Sequence, residues 1–212
     1  MATKNLGELD IQGDLLLAGS YGTAGQVLQS NGTGVTPSWV TPNGAVNMAS
    51  GYYYGPAGSQ AGATMTLNRM TLVPLYVPLS TTFTRIAAYT STSVAGSTAR
   101  LGIYTSTSGG LPNALVIEAG SISGSGTGSK SITISQTLSA GLYWLACAGQ
   151  STAPAFRSLN AATQYVAQGT VSVGLDSNPM SGFYVDSISG ALPSTVSTYN
   201  RATSAVVVYL GV

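Results

Sequence analysis

Short runs of β-branched and aromatic residues, separated by clusters of Gly, Ser, Pro and Asn, constrain the fold of this chain more than any other feature. The runs lack the 3.6-residue periodicity of helices, and turn formers at this spacing are typical of a β-sandwich or jelly roll. The sequence therefore predicts an all-β protein. The predicted strands lie at 69–79, 83–89, 99–105, 114–119, 131–138, 141–148, 165–173 and 204–210, with a weaker ninth at 183–188.

Two of these runs carry specific expectations about position in the sheets. Pro74 and Pro78 flank the segment LYV, and because proline cannot donate a ladder hydrogen bond they favour an edge strand. The run GLYWLACAG is apolar throughout, so we expect both Trp144 and Cys147 to lie in the core.

The first 50 residues have a different character. The segment GELDIQGDLLLAGS alternates apolar and polar side chains, which predicts a half-buried strand with its apolar residues on one side. QVLQS and VTPSWV are joined by Asn31, Gly32, Thr33 and Gly34, a strong hairpin signal. A few short strands cannot enclose a hydrophobic core of their own. We therefore expect this segment to pack against copies of itself, with three chains arranged about one axis. The residues predicted to make those contacts are Leu9, Ile11, Leu15, Leu17, Val27, Leu28 and Trp39.

Composition excludes several classes of function. Charged residues make up 6% of the chain, against roughly 25% in ordinary soluble proteins, while Ser and Thr supply about a quarter of it. A net charge of +1 without a basic run argues against nucleic acid, and no apolar run is long enough to span a membrane. The N-terminus does not resemble a secretory signal, and a single Cys allows no intrachain disulfide, so we expect synthesis in a cytosol.

Catalytic and metal-binding groups are scarce. The chain has no His and one Cys, which excludes a Ser–His–Asp triad and a zinc site within one chain. A glycosidase needs two carboxyl groups, and only Asp176 and Asp186 could approach one another, across the DSNPMSG turn that Asp176 begins. Asp10 and Asp14 lack the spacing of a calcium loop. We therefore predict no catalytic residue, no cofactor and no metal.

Three consecutive tyrosines, Tyr52, Tyr53 and Tyr54, are the most prominent candidates for recognition. In an extended segment their rings alternate between the two sides. Tyrosine is a rigid amphipathic contact residue, so these rings could form an interface between copies or a platform for sugars. Burial between copies or within the sandwich is the favoured interpretation.

Two parts of the chain resemble proteins of bacteriophage particles. GTAGQVLQSNGTGVTPSWV resembles the GQVL.SNGTG..P.W element of phage fibers and tailspike-like chains. The motifs GYYYGP, PLYVP, TFTRI, ARLGIYT and ITISQTLSAGLYWLA resemble a β-sandwich module of phage tail and fiber proteins. Together these cover roughly residues 22–150.

The resemblance implies a virion structural protein, made in the host bacterial cytoplasm and assembled as a homotrimer. Residues 1–50 would attach to the particle and trimerise, and residues 51–212 would form a distal β-sandwich that binds carbohydrate on the host surface. The module carries no catalytic signature. Two alternatives remain open at this stage: a capsid decoration protein that stabilises the head, and a glycan depolymerase.

Overall fold

Antiparallel strands form all the regular secondary structure that the computed structural model describes, which covers residues 16–17, 19–40, 47–58, 60–159 and 181–212. The predicted all-β class is therefore confirmed. The chain divides into two compact units, Met1–Val46 and Asn47–Val212.

The first unit contains a two-stranded hairpin, β1 (Val27–Gln29) and β2 (Ser38–Val40). Its antiparallel register places Leu28 opposite Trp39. The connection is longer than a two-residue turn. Gly32 and Gly34 supply the positive φ angles, while the Asn31 side-chain amide donates to the carbonyl oxygen of Thr36 at 2.8 Å. The hairpin predicted across Asn31–Gly34 is therefore present, and Asn31 contributes to its connection through the side-chain amide.

The described residues of the second unit form thirteen strands in two sheets. The chain crosses repeatedly from one sheet to the other, so that neighbours in sequence often face each other across the core. The strands are β3 (Tyr53–Tyr54), β4 (Gln60–Thr64), β5 (Met70–Val77), β6 (Thr81–Thr92), β7 (Thr98–Ser106), β8 (Pro112–Ser123), β9 (Gly128–Leu138), β10 (Gly141–Gln150), β11 (Ala155–Leu159), β12 (Gly182–Val185), β13 (Asn200–Ala202), β14 (Ala205–Val206) and β15 (Val208–Gly211).

The six-stranded sheet has the order β13-β12-β5-β10-β7-β8. The seven-stranded sheet has the order β14-β11-β6-β15-β3, with β4 paired to β11 and β9 paired to β6. The main core lies between them and draws on both, with Val73 and Leu145 from the first sheet and Phe83, Ile86 and Leu210 from the second all fully buried. This arrangement confirms the predicted β-sandwich.

A second apolar cluster covers the other side of the six-stranded sheet. Trp144 and Tyr104 pack there beneath Leu192 and Val196, which belong to the irregular segment 188–199 that follows β12. The Glu118 carboxylate holds this segment in place by accepting from the Leu192 backbone N–H at 2.9 Å. Strand β10 is therefore covered on both sides, which explains its continuous apolar sequence. The predicted burial of Trp144 and Cys147 is confirmed, since neither side chain is exposed.

The predicted edge position of LYV, between Pro74 and Pro78, agrees with the pairing of this half of β5 among the described strands, whereas the first half of β5 lies in the interior of the sheet. Met70–Leu72 pair with β12 on one side and β10 on the other, so this part is interior. From Val73 onward β10 is the only strand of the described chain that pairs with β5. Pro74 lies in that second half, where its missing N–H leaves no ladder bond unmade.

Seven of the eight stronger strand predictions correspond to strands in the structure, as does the weaker ninth at 183–188. The eighth, at 165–173, lies outside the described residues. The 204–210 run forms two short strands, β14 and β15, because Val207 donates its N–H to the Arg157 carbonyl oxygen at 3.0 Å instead of continuing one ladder.

Candidate functional site

The outer side of the seven-stranded sheet presents tyrosines, arginines and hydroxyl groups together. Along β6 the apolar Ile86 and Ala88 face the core, so the alternation of the strand turns Arg85, Ala87 and Tyr89 outward. The outward side of β9, which pairs with β6, carries only exposed Ser and Thr side chains over the same length. We call this surface the tyrosine face. It consists of Tyr53, Arg85, Tyr89, Arg157 and Tyr209 with Ser129, Ser131 and Thr133.

Arg85 and Tyr53 lie on either side of Gly211. Gly211 pairs with Arg85 of β6 in one direction and with Tyr53 of β3 in the other. A Cβ atom on Gly211 would lie 3.0 Å from Tyr53 Cε1 and 3.3 Å from Arg85 Cβ. The Tyr53 ring therefore leans over the glycine toward the stem of Arg85, and both side chains are exposed to solvent.

Tyr209 lies in the middle of the face and is held in one orientation. Its hydroxyl accepts from Gln60 Nε2 at 2.7 Å, and a Cβ on Gly55 would come within 2.6 Å of its ring. Gly55 is thus needed for the ring to lie flat against the β3–β4 connection. The Tyr209 side chain remains half-exposed.

The far end of the face combines an arginine with a tyrosine. The guanidinium carbon of Arg157 lies 4.3 Å from the centroid of the Tyr89 ring, within the range of a cation–π interaction. Tyr89 stands four residues beyond Arg85 on β6, roughly 13 Å along the strand at a rise of 3.3 Å per residue. The two arginines therefore mark the two ends of the tyrosine face.

The carboxylate side chains that the structure describes do not pair with these arginines. The two described acidic residues, Glu118 and Asp186, belong to the six-stranded sheet or its connections and pair with Arg100 and Arg69. Neither Arg85 nor Arg157 forms an ion pair with a described residue. Among the side chains described, the tyrosine face carries two guanidinium groups and no carboxylate.

The three adjacent tyrosines have different environments. Tyr52 and Tyr53 are 66% and 46% exposed, whereas Tyr54 packs against the main core and its hydroxyl accepts from the Ala49 N–H at 2.6 Å. Alternation along β3 explains the difference between Tyr53 and Tyr54. Only Tyr53 belongs to the tyrosine face.

In the first unit, the predicted contact residues in the described range are Leu17, Val27, Leu28 and Trp39. Val27 and Leu28 are 47% and 44% exposed, while Leu17 is half-buried in a turn closed by two backbone hydrogen bonds with Ser20. The Trp39 ring lies against Gly22, and its Nε1 donates to the Ser20 carbonyl oxygen at 3.1 Å. Leu9, Ile11 and Leu15 lie outside the described residues.

A separate cleft of about 340 Å³ opens beside Arg69, between β4, β5 and the strands that follow β12. Arg69 donates from Nε to Asp186 Oδ1 at 2.7 Å and from Nη2 to Oδ2 at 3.2 Å, and it stacks 3.9 Å from the Tyr184 ring centroid. The hydrogen bond to Asp186 raises the pKa of Arg69. Asp186 is therefore occupied in an ion pair.

Asp186, the described member of the predicted carboxylate pair, lies apart from the tyrosine face. Asp176, the other half of the predicted carboxylate pair, lies outside the described residues, as do Asp10 and Asp14. Burial raises the pKa of the Cys147 thiol, so this residue stays protonated and inert at neutral pH. No group of three His, Cys, Asp or Glu side chains suited to a metal occurs among the residues described.

Sequence reasoning identified Tyr53 but missed the rest of the tyrosine face. The sequence does hold a signal for part of it, since Arg85, Ala87 and Tyr89 alternate with core residues in FTRIAAY. Tyr209 and Arg157 come from strands far away in sequence, and only strand pairing brings them beside β6.

Comparison with protein families, curated proteins and solved structures finds no match for this chain. No helix in the described ranges is long and apolar enough to cross a membrane.

Proposed function

We propose that this protein is a fiber or appendage subunit of a bacteriophage particle, attached through residues 1–50 and adhering to host-surface carbohydrate through its β-sandwich. The observation that carries the adhesive part is the tyrosine face. Aromatic rings, arginines and closely spaced hydroxyls are the groups that contact sugar rings and their hydroxyls. The resemblance of the sequence motifs to phage fiber proteins supports the setting.

The hairpin supports the proposed attachment and trimerisation. A two-stranded hairpin is at best marginally stable alone. Its Val27 and Leu28 expose adjacent apolar side chains on opposite sides, and Val35 in the connecting loop is 56% exposed. Contact with other copies or with another particle protein would cover this apolar surface.

Light scattering on the intact chain and on the fragment Asn47–Val212 tests this arrangement. The fragment begins at Asn47 because Ala49 and Gly51 form hydrogen bonds within the second unit. We expect a trimeric intact chain and a folded, monomeric fragment. A trimeric fragment would place the assembly contacts in the sandwich. A monomeric intact chain would contradict the trimer and favour a decoration protein that orders its N-terminus on the capsid.

A screen of the intact chain against immobilised saccharides tests the adhesive function. Binding should persist in the Asn47–Val212 fragment at reduced avidity, because one site then replaces several. The absence of binding to every saccharide would reject adhesion. Release of soluble oligosaccharide from a bound polymer would instead support the depolymerase alternative.

A further inference from the structure

We propose that the tyrosine face selects a saccharide that carries a carboxylate, with Arg85 as the anion contact and Tyr53 as the ring on which the sugar stacks. This inference rests on the proposed adhesive function and adds the chemical class of the ligand.

Arg85 is placed to receive an anion from solvent. Its side chain is exposed, and it makes no hydrogen bond or ion pair with any residue that the structure describes. Its neighbour on β9 is Thr133, which offers a hydroxyl and no charge. A guanidinium presents a planar fork of N–H donors that matches the two oxygens of a carboxylate.

Two of the other arginines already have a carboxylate partner within the chain. Arg69 pairs with Asp186 and Arg100 with Glu118, both away from the tyrosine face. Arg85 has no such partner among the described residues, and a ligand carboxylate would supply one.

Tyr53 supplies an adjacent apolar surface. Because Gly211 has no side chain, the ring of Tyr53 approaches the stem of Arg85 directly, and a sugar stacked on the ring would hold a substituent within reach of the guanidinium. The exposed hydroxyls of Ser129, Ser131 and Thr133 continue from Arg85 at intervals of two residues, roughly 6.6 Å apart. They match a ligand with many hydroxyl groups.

The same features disfavour a nucleic acid as the ligand. Affinity for a polyanion comes mainly from many phosphate contacts, and this face offers two arginines on a chain of net charge +1. A saccharide with one carboxylate per few sugar units fits two separated arginines better.

The test uses the intact protein and pairs of probes that differ only in charge. The probes are oligogalacturonate with its methyl ester and sialyllactose with its methyl ester, together with a ten-nucleotide oligothymidylate, and binding is measured by calorimetry. We expect an acidic saccharide to bind more tightly than its neutral counterpart. Arg85→Gln should weaken acid binding by roughly tenfold or more and leave binding of the neutral saccharide unchanged, because one charge-assisted contact is lost.

Matched variants separate this site from general effects. Tyr53→Ala should weaken the binding of both the acidic and the neutral saccharide. Arg69→Gln changes the net charge as Arg85→Gln does, and Tyr76→Ala removes a tyrosine that is 64% exposed on the six-stranded sheet, so both should bind as the parent does. Thermal unfolding by circular dichroism verifies that each variant is folded.

The outcomes distinguish this inference from the proposed function. Equal binding of acidic and neutral saccharides, or an acid preference that survives Arg85→Gln, would overturn the inference and leave adhesion standing. Binding of no saccharide at all would overturn both. Binding of oligothymidylate in preference to the saccharides would overturn the assignment of ligand class.

Discussion

Trp144 is a buried side chain whose polar atom is left without a partner. It is fully buried against Phe183, and its Nε1 has no hydrogen-bond acceptor among the described residues. A buried donor without a partner costs about 1–3 kcal/mol. The indole therefore contributes to stability through its volume, against a penalty from its N–H group.

Replacing Trp144 separates these two contributions. Trp144→Phe should change the free energy of unfolding by less than about 1 kcal/mol, since loss of volume is offset by loss of the unpaired donor, whereas Trp144→Ala should cost about 3–5 kcal/mol. Tyr104→Phe is the control, because it removes a donor that has a partner: the Tyr104 hydroxyl donates to the Pro193 carbonyl oxygen at 2.8 Å. Urea unfolding followed by circular dichroism measures all three. A Phe variant as unstable as the Ala variant would contradict this account.

Two buried acids make the protein sensitive to alkali. Burial raises the pKa of Cys147 from its ordinary 9.0 and that of Tyr104 from its ordinary 10.0. Above these ordinary values the unfolded state has lost protons that the folded state keeps. The free energy of unfolding contributed by these groups is therefore complete below pH 9.0 and falls as pH rises toward the folded pKa values.

We therefore predict that the free energy of unfolding begins to fall near pH 9.0. In Cys147→Ala the fall should begin near pH 10.0, where the hydroxyl of Tyr104 loses its proton in the unfolded state. Urea midpoints across alkaline pH measure it. In the folded protein at neutral pH, a thiol reagent should modify Cys147 no faster than the protein unfolds locally or globally to expose the thiol. Rapid modification of the native protein would show that the thiol is reachable without unfolding.

At the scale of elements, Thr71 connects the two sheets through its side chain. It lies on β5 in the six-stranded sheet, where its hydroxyl donates to the Cys147 carbonyl oxygen at 3.4 Å and accepts from the Val206 N–H of β14 at 3.3 Å. Both contacts are buried. Val206 belongs to the seven-stranded sheet, so this hydroxyl joins the layers at the point where β14 gives way to β15.

Thr71→Val keeps the shape of the side chain and leaves the Val206 N–H buried without a partner. We expect it to lower the free energy of unfolding by about 1–3 kcal/mol. Thr71→Ser keeps the hydroxyl and should cost less than Thr71→Val. Denaturant unfolding measures the free energy of unfolding of both variants. A Val variant at least as stable as the Ser variant would show that the hydroxyl of Thr71 contributes little to stability.

The strands were predicted well where side chains are large and alternate regularly, as in β6, and poorly where they are small. Strand β4, QAGAT, contains no large apolar residue, and β11 has only five residues, so neither carried a signal. Both are strands because they pair with each other and, for β11, with β6. Such pairings between distant segments are set by tertiary packing rather than by local propensity.

At the scale of the whole molecule, the tyrosine face could not be predicted from the sequence, because it too depends on pairing between distant segments. Its members come from β3, β6, β9, β11 and β15, and their proximity depends on the strand order and register of one sheet. The two-residue alternation of side chains along β6 places Arg85 and Tyr89 on one side of the sheet, but it does not say which strands lie beside them. The run Tyr52–Tyr54 is conspicuous in the sequence, but only Tyr53 belongs to the tyrosine face.

The scarcity of charge in the whole molecule predicts that folding and ligand binding respond differently to salt. Only 13 of 212 residues are charged, and the ion pairs in the described chain are partly exposed, so each contributes at most about 1 kcal/mol. Raising NaCl from 0.1 M to 1 M shortens the screening length from about 10 Å to about 3 Å. We expect the urea midpoint to change little over this range, while binding of an acidic saccharide weakens severalfold. A midpoint that falls steeply with salt would show that ionic contacts hold the fold together, and binding unaffected by salt would argue that Arg85 makes no contact with charge.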